Sequence, residues 1–315
     1  MSIAPVSSRV VPAASPVTPL LKWVGGKRQL LPSIRPFYPA AFGRYIEPFF
    51  GSGAVFFDLW NSGRLPGNGA VLIDHNSDLI GCYRMVRDEP AAVLASLEAL
   101  AAGHARDERA HYYGVRDRQF NPLREALRET DGSIRYTPEL AAMLIYLNRT
   151  GFNGLYRVNA RGHFNVPAGR YARPNIADRE RLEAVARVFR DPGVELRRGS
   201  FADVLTFAEP NDFLYIDPPY APLSATANFR SYTHPPFEEA DQERLQQVVL
   251  ALARRGCAVV LSNSTAPSIG ALYDGNAEAM DAGLRAYRVP ARRAVNSNAA
   301  RRGVIEEYLI TNVRN

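Results

Sequence analysis

Four apolar residues, Phe213-Leu214-Tyr215-Ile216, run directly into Asp217-Pro218-Pro219-Tyr220. An uninterrupted apolar run of this length fits a strand buried on both faces of a parallel sheet. The two prolines remove two N–H donors and hold φ at roughly −65°, which turns the chain out of the strand and leaves carbonyl oxygens pointing outward. A carboxylate, free acceptors and an aromatic ring thus collect at the carboxyl end of a strand, where open α/β sheets bind ligands. Such a group of acceptors suits an amino group, and the Tyr220 ring offers a planar base a stacking face. The plainer alternative is a rigid strand-to-loop turn.

The surrounding pattern supplies the rest of such a sheet. From Tyr45 a short apolar strand leads into a turn with Gly51 and Gly53, a helix over Ala54 to Trp60, and a second strand, Val71-Leu72-Ile73, ended by Asp74. This is a β-α-β unit. From about Ile80 to Asp191 the pattern changes to helices, expected over 79–87, 91–102, 110–119 and 137–149. The last has Thr137 as N-cap, Pro138 at its first position and a stripe of Leu140, Met143, Leu144 and Leu147. Alternation resumes with strands over 194–197, 213–216 and 258–262, a helix over 238–255 closed by Gly256, and β-like segments over 284–289 and 304–311. The expected architecture is one open α/β sheet interrupted by a helical insert. Residues 1–18 read as a mobile tail, 19–80 with 192–315 as the α/β core, and 81–191 as the insert.

Two cysteines, Cys82 and Cys257, without CxxC spacing argue against a disulfide framework and a cysteine-based zinc site, and fit a reducing cytoplasm. No metal is expected. No apolar run approaches the roughly 20 residues of a membrane span, and Met1 to Thr18 lacks the pattern of a signal peptide. The net charge of +6 makes a polyanion a plausible partner, provided that the excess is concentrated somewhere.

It is concentrated in two stretches. Between Arg149 and Arg173 there is no acid, while Arg149, Arg157, Arg161, Arg170 and Arg173 alternate with Phe152, Tyr156, Phe164 and Tyr171. The stretch from Ala282 to Ile305 is also free of acids and holds Arg285, Arg288, Arg292, Arg293, Arg301 and Arg302. Arginines for phosphates and base edges, interleaved with stacking rings, form a nucleic-acid-reading composition. The ligand of the first βα turn reads differently. Glu47-Pro48-Phe49-Phe50-Gly51-Ser52-Gly53 lets a ligand approach the backbone, and Asp74 follows Gly53 by 21 residues, near the offset of an acid that binds ribose hydroxyls. Phe56 stands where a third glycine would complete a pyrophosphate cradle, so a ligand with a ribose and no phosphate fits better. Leu21-Lys22-Trp23-Val24-Gly25-Gly26-Lys27 is on its own an ordinary turn.

Taken in order, LLKWVGGK, EPFFGSG, VLIDHNSDL, LNRTGFNGLYRVNARGHFNVPAGRY, DPPYAPLSATANF and RRAVNSNAARR make the chain resemble the Dam-type DNA N6-adenine methyltransferases of the D12 class. The resemblance runs from about Leu20 to Thr311. It implies a Rossmann-like core that uses S-adenosylmethionine, with a helical target-recognition domain inserted, acting on double-stranded DNA away from any membrane. It implies cofactor contacts for Trp23, Lys27, Glu47, Phe49, Gly51, Gly53, Asp74 and Asp217. Asp217, Pro218, Pro219 and Tyr220 would form the catalytic tetrapeptide. Lys22, Phe152, Asn153, Leu155, Arg157, Pro167 and Arg170 would face DNA, and the usual site of the family is GATC. Phe152 stands where the family usually has a wedging Tyr, and Ala300-Arg301-Arg302 departs from its basic hairpin after Asn298.

The chemistry that follows is positional. Adenine N6 is a poor nucleophile, and hydrogen bonds from its N–H groups to Asp217 and the Pro218 carbonyl would favour a pyramidal nitrogen whose lone pair points outward. The adenine would be flipped out of the duplex onto Tyr220, with Phe152 filling the gap. The same acceptors would serve N4-cytosine or an RNA base. A DNA-binding protein that has lost catalysis and a nicotinamide oxidoreductase are the rivals from other classes, opposed by the intact tetrapeptide and the incomplete glycine turn respectively.

Overall fold

The computed structural model describes residues 15–65, 67, 69–222, 237–292 and 304–314. Seven strands are present among them: β1 (Tyr45–Glu47), β2 (Ala70–Asp74), β3 (Val194–Arg198), β4 (Phe213–Ile216), β5 (Ala258–Ser264), β6 (Arg285–Arg292) and β7 (Val304–Thr311). They form one sheet in the order β3-β2-β1-β4-β5-β7-β6. β1 lies inside the sheet, with Tyr45 opposite Ala70 of β2 and Phe213 of β4 in parallel register. Only β7 runs against its neighbours, pairing antiparallel with both β5 and β6.

The sheet separates two cores by the two-residue period of its strands. Tyr45, Leu72, Phe213 and Tyr215 point to one face. Ile46, Val71, Ile73, Leu214 and Ile216 point to the other, where the helix Glu239–Arg254 packs. On the first face lie the helices Ala54–Asn61, Ser77–Asp88 and Arg179–Phe189, and the same apolar cluster continues without a break into the insert. At its centre the helix Pro138–Thr150 is buried at every position from Leu140 to Thr150. The sequence pattern shows one stripe, but neighbours on all sides, including Pro90–Arg106 and Ser77–Asp88, enclose the whole cylinder.

Most expected elements stand within a few residues of their places, and the short helices Asn121–Ala126, Pro267–Tyr273 and Ala277–Asp281 are additions to them; two further departures are larger. The helix expected over 110–119 is Glu108–Gly114 followed by a π-helical turn, Val115–Phe120. The helix Arg179–Phe189 has no counterpart in the sequence reading, although Leu182, Val185, Ala186 and Phe189 carry an i, i+3, i+4, i+7 face. At the amino end, residues 1–14 of the expected tail lie outside the described residues, while Val17 is tied down: its N–H donates to Asn61 Oδ1 and its carbonyl accepts from Asn61 Nδ2, both at 2.8 Å.

Phe189 shows how the helices on the first face are joined to the sheet. Its ring meets those of Phe50, Phe57 and Tyr83 at 6.2, 6.0 and 5.2 Å between centroids, and it is 1% exposed. Phe189→Ala should lower the unfolding free energy by about 3–5 kcal/mol through lost contacts and a residual cavity. Urea unfolding monitored by circular dichroism checks this, and a loss below about 1 kcal/mol would show that the cluster closes over the gap.

Candidate active site

The parallel strands deliver three carboxylates to one edge: Glu47 ends β1, Asp74 ends β2, and Asp217 follows β4. Asp217 Oδ1 accepts from Lys27 Nζ and from Ser262 Oγ, each at 2.9 Å, and Ser262 in turn is bonded to Tyr215 OH at 3.0 Å. Lys27, 8% exposed, also donates to the Gly25 carbonyl at 2.8 Å and lies 4.4 Å from the centroid of the Tyr220 ring. Tyr220 OH donates to Glu307 Oε2 at 2.7 Å, which fixes the ring from β7. The Pro219 carbonyl accepts from Gln242 Nε2 at 2.9 Å, so the tetrapeptide is clamped at both ends.

The first βα turn is built around backbone that only glycine adopts readily. Gly51 and Gly53 have φ of 49° and 70°. A Cβ on Gly51 would stand 3.0 Å from the Trp23 ring, and one on Gly53 would strike the Phe50 ring at 2.4 Å. Asp74 braces this loop, accepting from the N–H of Gly51 at 2.9 Å and of Asn76 at 2.8 Å. Phe49 stacks on Phe201 at 5.4 Å and meets Phe237 edge-on, forming an aromatic wall. Glu47 is turned inward, with Oε2 accepting from Tyr45 OH at 2.8 Å.

Burial raises the pKa of all three acids. For Glu47 the shift is large, with the Tyr45 hydrogen bond opposing it; for Asp74 the N–H groups of Asn76 and Gly51 oppose it. For Asp217 the Lys27 charge and the hydrogen bonds from Lys27 and Ser262 oppose it. S-adenosylmethionine fits these residues. The turn presents no side chain at Gly51 or Gly53, and the acidic edge formed by Glu47, Asp74 and Asp217 suits a sulfonium cation.

One cleft of about 2030 Å³ joins these groups, larger than the ~300–1,000 Å³ of a single small-molecule site. Trp23, Lys27, Glu47, Phe49, Gly51, Gly53, Asp74 and Asp217 to Tyr220 line it, as do Lys22, Asn153 and Leu155 from the expected DNA-facing set. The Lys22 N–H and carbonyl are held by the Asn148 amide at 2.9 and 2.8 Å, and its ammonium lies 4.6 Å from the Tyr171 ring centroid. Phe152, Arg157, Pro167 and Arg170 are exposed outside the cleft wall. Phe152 is 49% exposed on a short loop whose backbone is braced by the Pro167 carbonyl at 2.9 Å, so it does not pack inside the insert. Arg157 Nε donates to Asn165 Oδ1 at 2.8 Å across the base of a hairpin.

The two basic stretches divide. Arg149 is 8% exposed, donates to the Asn175 carbonyl and lies 3.7 Å from Asp178, so it is part of the interior and not of a DNA surface. Tyr156 and Phe164 are likewise buried. Arg288 pairs with Asp274 at 3.5 Å and Glu306 at 3.8 Å, acids from other parts of the chain that neutralise it. Arg293, Arg301 and Arg302, with Asn298 and Ala300, lie outside the described residues. Ser262 and Glu307 were not singled out in the sequence; each follows Asp217 or Tyr220 by dozens of residues and carries no local motif. Among the described residues, no group of three or more His, Cys, Asp or Glu is arranged to hold a metal, and no helix is long and apolar enough to cross a membrane.

A sheet of this order, with one reversed strand among those described and carboxylates along its ligand edge, is a Rossmann-like methyltransferase core. Residues 23–286 match the D12 class N6 adenine-specific DNA methyltransferases, and the chain belongs to that family. Similar proteins include the type II methyltransferase M1.LlaDCHI of Lactococcus lactis subsp. cremoris, 38% identical over 94% of this chain and 96% of its own length. The type II methyltransferase M.MjaIII of Methanocaldococcus jannaschii is 36% identical, covering 94% and 99%. The DNA adenine methylase of Escherichia coli (strain K12) is 32% identical, covering 92% and 93%. The protein is therefore an adenine-specific DNA methyltransferase, and its family uses S-adenosylmethionine.

The electrostatics make a signed prediction. If Asp217 must be ionised to accept the target amine, kcat/KM falls as pH drops, with a midpoint above the usual Asp value of about 3.9. Lys27 opposes the upward shift, so Lys27→Met should move the acid limb higher still. A pH–rate profile unchanged by Lys27→Met would separate the limb from Asp217.

Proposed function

We propose that this methyltransferase modifies adenine N6 within GATC in double-stranded DNA, with the adenine flipped from the duplex into the cleft beside Tyr220. The observation that carries the reading is the position of Lys27 Nζ. A nitrogen donor already sits 2.9 Å from Asp217 and 4.4 Å from the Tyr220 ring centroid, which is what an adenine amine stacked on that ring requires. The incoming amine exchanges one nitrogen donor for another, and Lys27 keeps the Gly25 carbonyl as a partner.

In this reading Asp217 and the Pro218 carbonyl accept the two N6 hydrogens, Pro219 is anchored through Gln242, and Glu307 holds the Tyr220 ring at its stacking angle. Trp23, Lys27, Glu47, Phe49, Gly51, Gly53 and Asp74 form the cofactor side, with Asp74 on the ribose. When bound, S-adenosylmethionine supplies a methyl group activated by its sulfonium. Positioning by the protein supplies most of the remainder. N6 sheds a proton after transfer, and Asp217, which in this reading already accepts an N6 hydrogen and whose proton affinity burial raises, is the group to receive it.

Lys22, Asn153, Leu155, Arg157, Pro167 and Arg170 form the DNA side, and Phe152 is the wedge. The GATC reading rests on the residues at these positions in the family pattern. The reading also divides the chain into a catalytic core of residues 19–80 and 192–315 and a target-recognition insert of 81–191, with the helices Ser77–Asp88 and Arg179–Phe189 at its two ends packed on the sheet of the core. A cytoplasmic site of action accords with two free, buried cysteines. Methylation mapping of DNA treated with the purified protein tests base and context together, and a context other than GATC would overturn the specificity.

Asp217→Ala should abolish transfer while leaving most DNA affinity, because the phosphate contacts lie elsewhere. Asp74→Ala should weaken cofactor binding in a direct titration. Phe152→Tyr should be nearly silent. Phe152→Ala should slow methylation of a paired adenine but spare one opposite an abasic site, where the few kcal/mol of unpairing are already spent. Parallel losses on both substrates would reject the wedge.

A further inference from the structure

A buried cluster in the wall of the same cleft, which includes Asp78, Arg124 and Tyr156, is given no part in the chemistry described above. Asp78 is 1% exposed and uses both oxygens twice. Oδ1 accepts from Arg124 Nε at 2.7 Å and Tyr136 OH at 3.0 Å; Oδ2 accepts from Arg124 Nη2 at 2.8 Å and Tyr156 OH at 2.6 Å. A buried ion pair is weak support for stability, because desolvation offsets much of its attraction. A network whose acceptors are all satisfied does hold its members in one geometry.

The members of this network join two different parts of the molecule. The Tyr156 ring stacks on Trp23 at 5.2 Å, and Trp23 lies against Gly51 of the cofactor loop. Asn76, whose N–H is held by Asp74, caps the helix that carries Asp78. On the other side, Arg124 Nη1 donates to the Gly162 carbonyl at 2.5 Å. Gly162 closes the turn of a hairpin defined by the Val158–Phe164 bridge and by the hydrogen bond from Asn165 N–H to the Arg157 carbonyl. Asn121, on the same short helix as Arg124, grips this hairpin again, bonding the Phe164 carbonyl and N–H at 3.0 and 2.8 Å. Arg157 and Arg161 are carried on the hairpin with their side chains exposed.

We infer that Asp78 and Arg124 are positioning residues for sequence discrimination: the carboxylate fixes the guanidinium, and the guanidinium sets the tip of the DNA-reading hairpin relative to the cofactor loop. The inference rests on the proposed reading of that hairpin as DNA-facing. Lysine in place of Arg124 keeps a charge opposite Asp78 but has no planar fork to hold the carboxylate and the Gly162 carbonyl together. Tyr136 is the internal control, since its hydroxyl donates to the same carboxylate while its side chain is bonded to neither the hairpin nor Trp23.

The test uses the full chain with S-adenosylhomocysteine added. Fluorescence anisotropy compares its binding to a duplex carrying the mapped site with binding to single-base variants of that duplex, beside the melting temperature of each protein. Arg124→Lys should narrow the preference by about tenfold, the size of one lost base contact. Tyr136→Phe should lower the melting temperature and leave the preference within about twofold, because it removes a hydrogen bond without releasing the hairpin. Tyr156→Phe, which retains the ring on Trp23, is the milder second variant if Arg124→Lys does not fold, and should narrow the preference by about threefold, as expected for one neutral hydrogen bond. Parental preference in a folded Arg124→Lys or in Tyr156→Phe overturns the inference, as does an equal loss in Tyr136→Phe. Arg157→Ala separates the two levels. If it also keeps parental preference, the DNA-facing reading of the hairpin fails; if it alone loses preference, the positioning role fails.

Discussion

Three carboxylates brought to neighbouring strand ends would repel one another and resist burial, and the site is organised by the donors that prevent this. Asp74 is satisfied by backbone N–H groups, so ordering the glycine turn and stabilising the acid are the same event. Glu47 is answered by a tyrosine two residues away, which confines it to the interior. Asp217 is answered by Lys27 and Ser262. Through Asp217 that pair ties the segment before β1 to β5, drawing distant stretches of chain together over the same edge.

This arrangement explains which parts could be read from the sequence. β4 and the residues after it were legible because a continuous apolar run followed by two prolines has few alternatives. β2 and Asp74 were legible because the spacing within a β-α-β unit is short and nearly constant. The helix Arg179–Phe189 was equally legible and was passed over: Leu182, Val185, Ala186 and Phe189 keep the helical period, and Arg179, Glu180, Arg181, Glu183 and Arg187 occupy the opposite face. For the helix Pro138–Thr150 the pattern showed where a helix lies but not how many neighbours surround it. Arg149 shows a related limit: a run of basic residues does not reveal which of them points inward, and this one lies beside Asp178. Ser262 and Glu307 had no local signal, since tertiary proximity alone makes them partners of the tetrapeptide.

The insert shares its apolar core with one face of the sheet. Helices that cover the sheet, Ser77–Asp88 and Arg179–Phe189, also support the buried helix Pro138–Thr150. The segment from Leu20 to Trp23 is held by Asn148 of the insert and lies against the glycine turn of the core. A change in either part is therefore transmitted as a packing change, and the cleft between them inherits the rigidity of both.

The place of β7 has a temporal consequence. It is the last strand in the sequence, yet it lies between β5 and β6 and supplies Glu307 to Tyr220. During synthesis β6 therefore emerges before the strand that must separate it from β5. Until residue 311 has left the ribosome, the sheet is open at this edge and the ring of the tetrapeptide lacks its anchor. A nascent chain can gather its cofactor turn early, but it acquires a complete target pocket only once β7 has emerged.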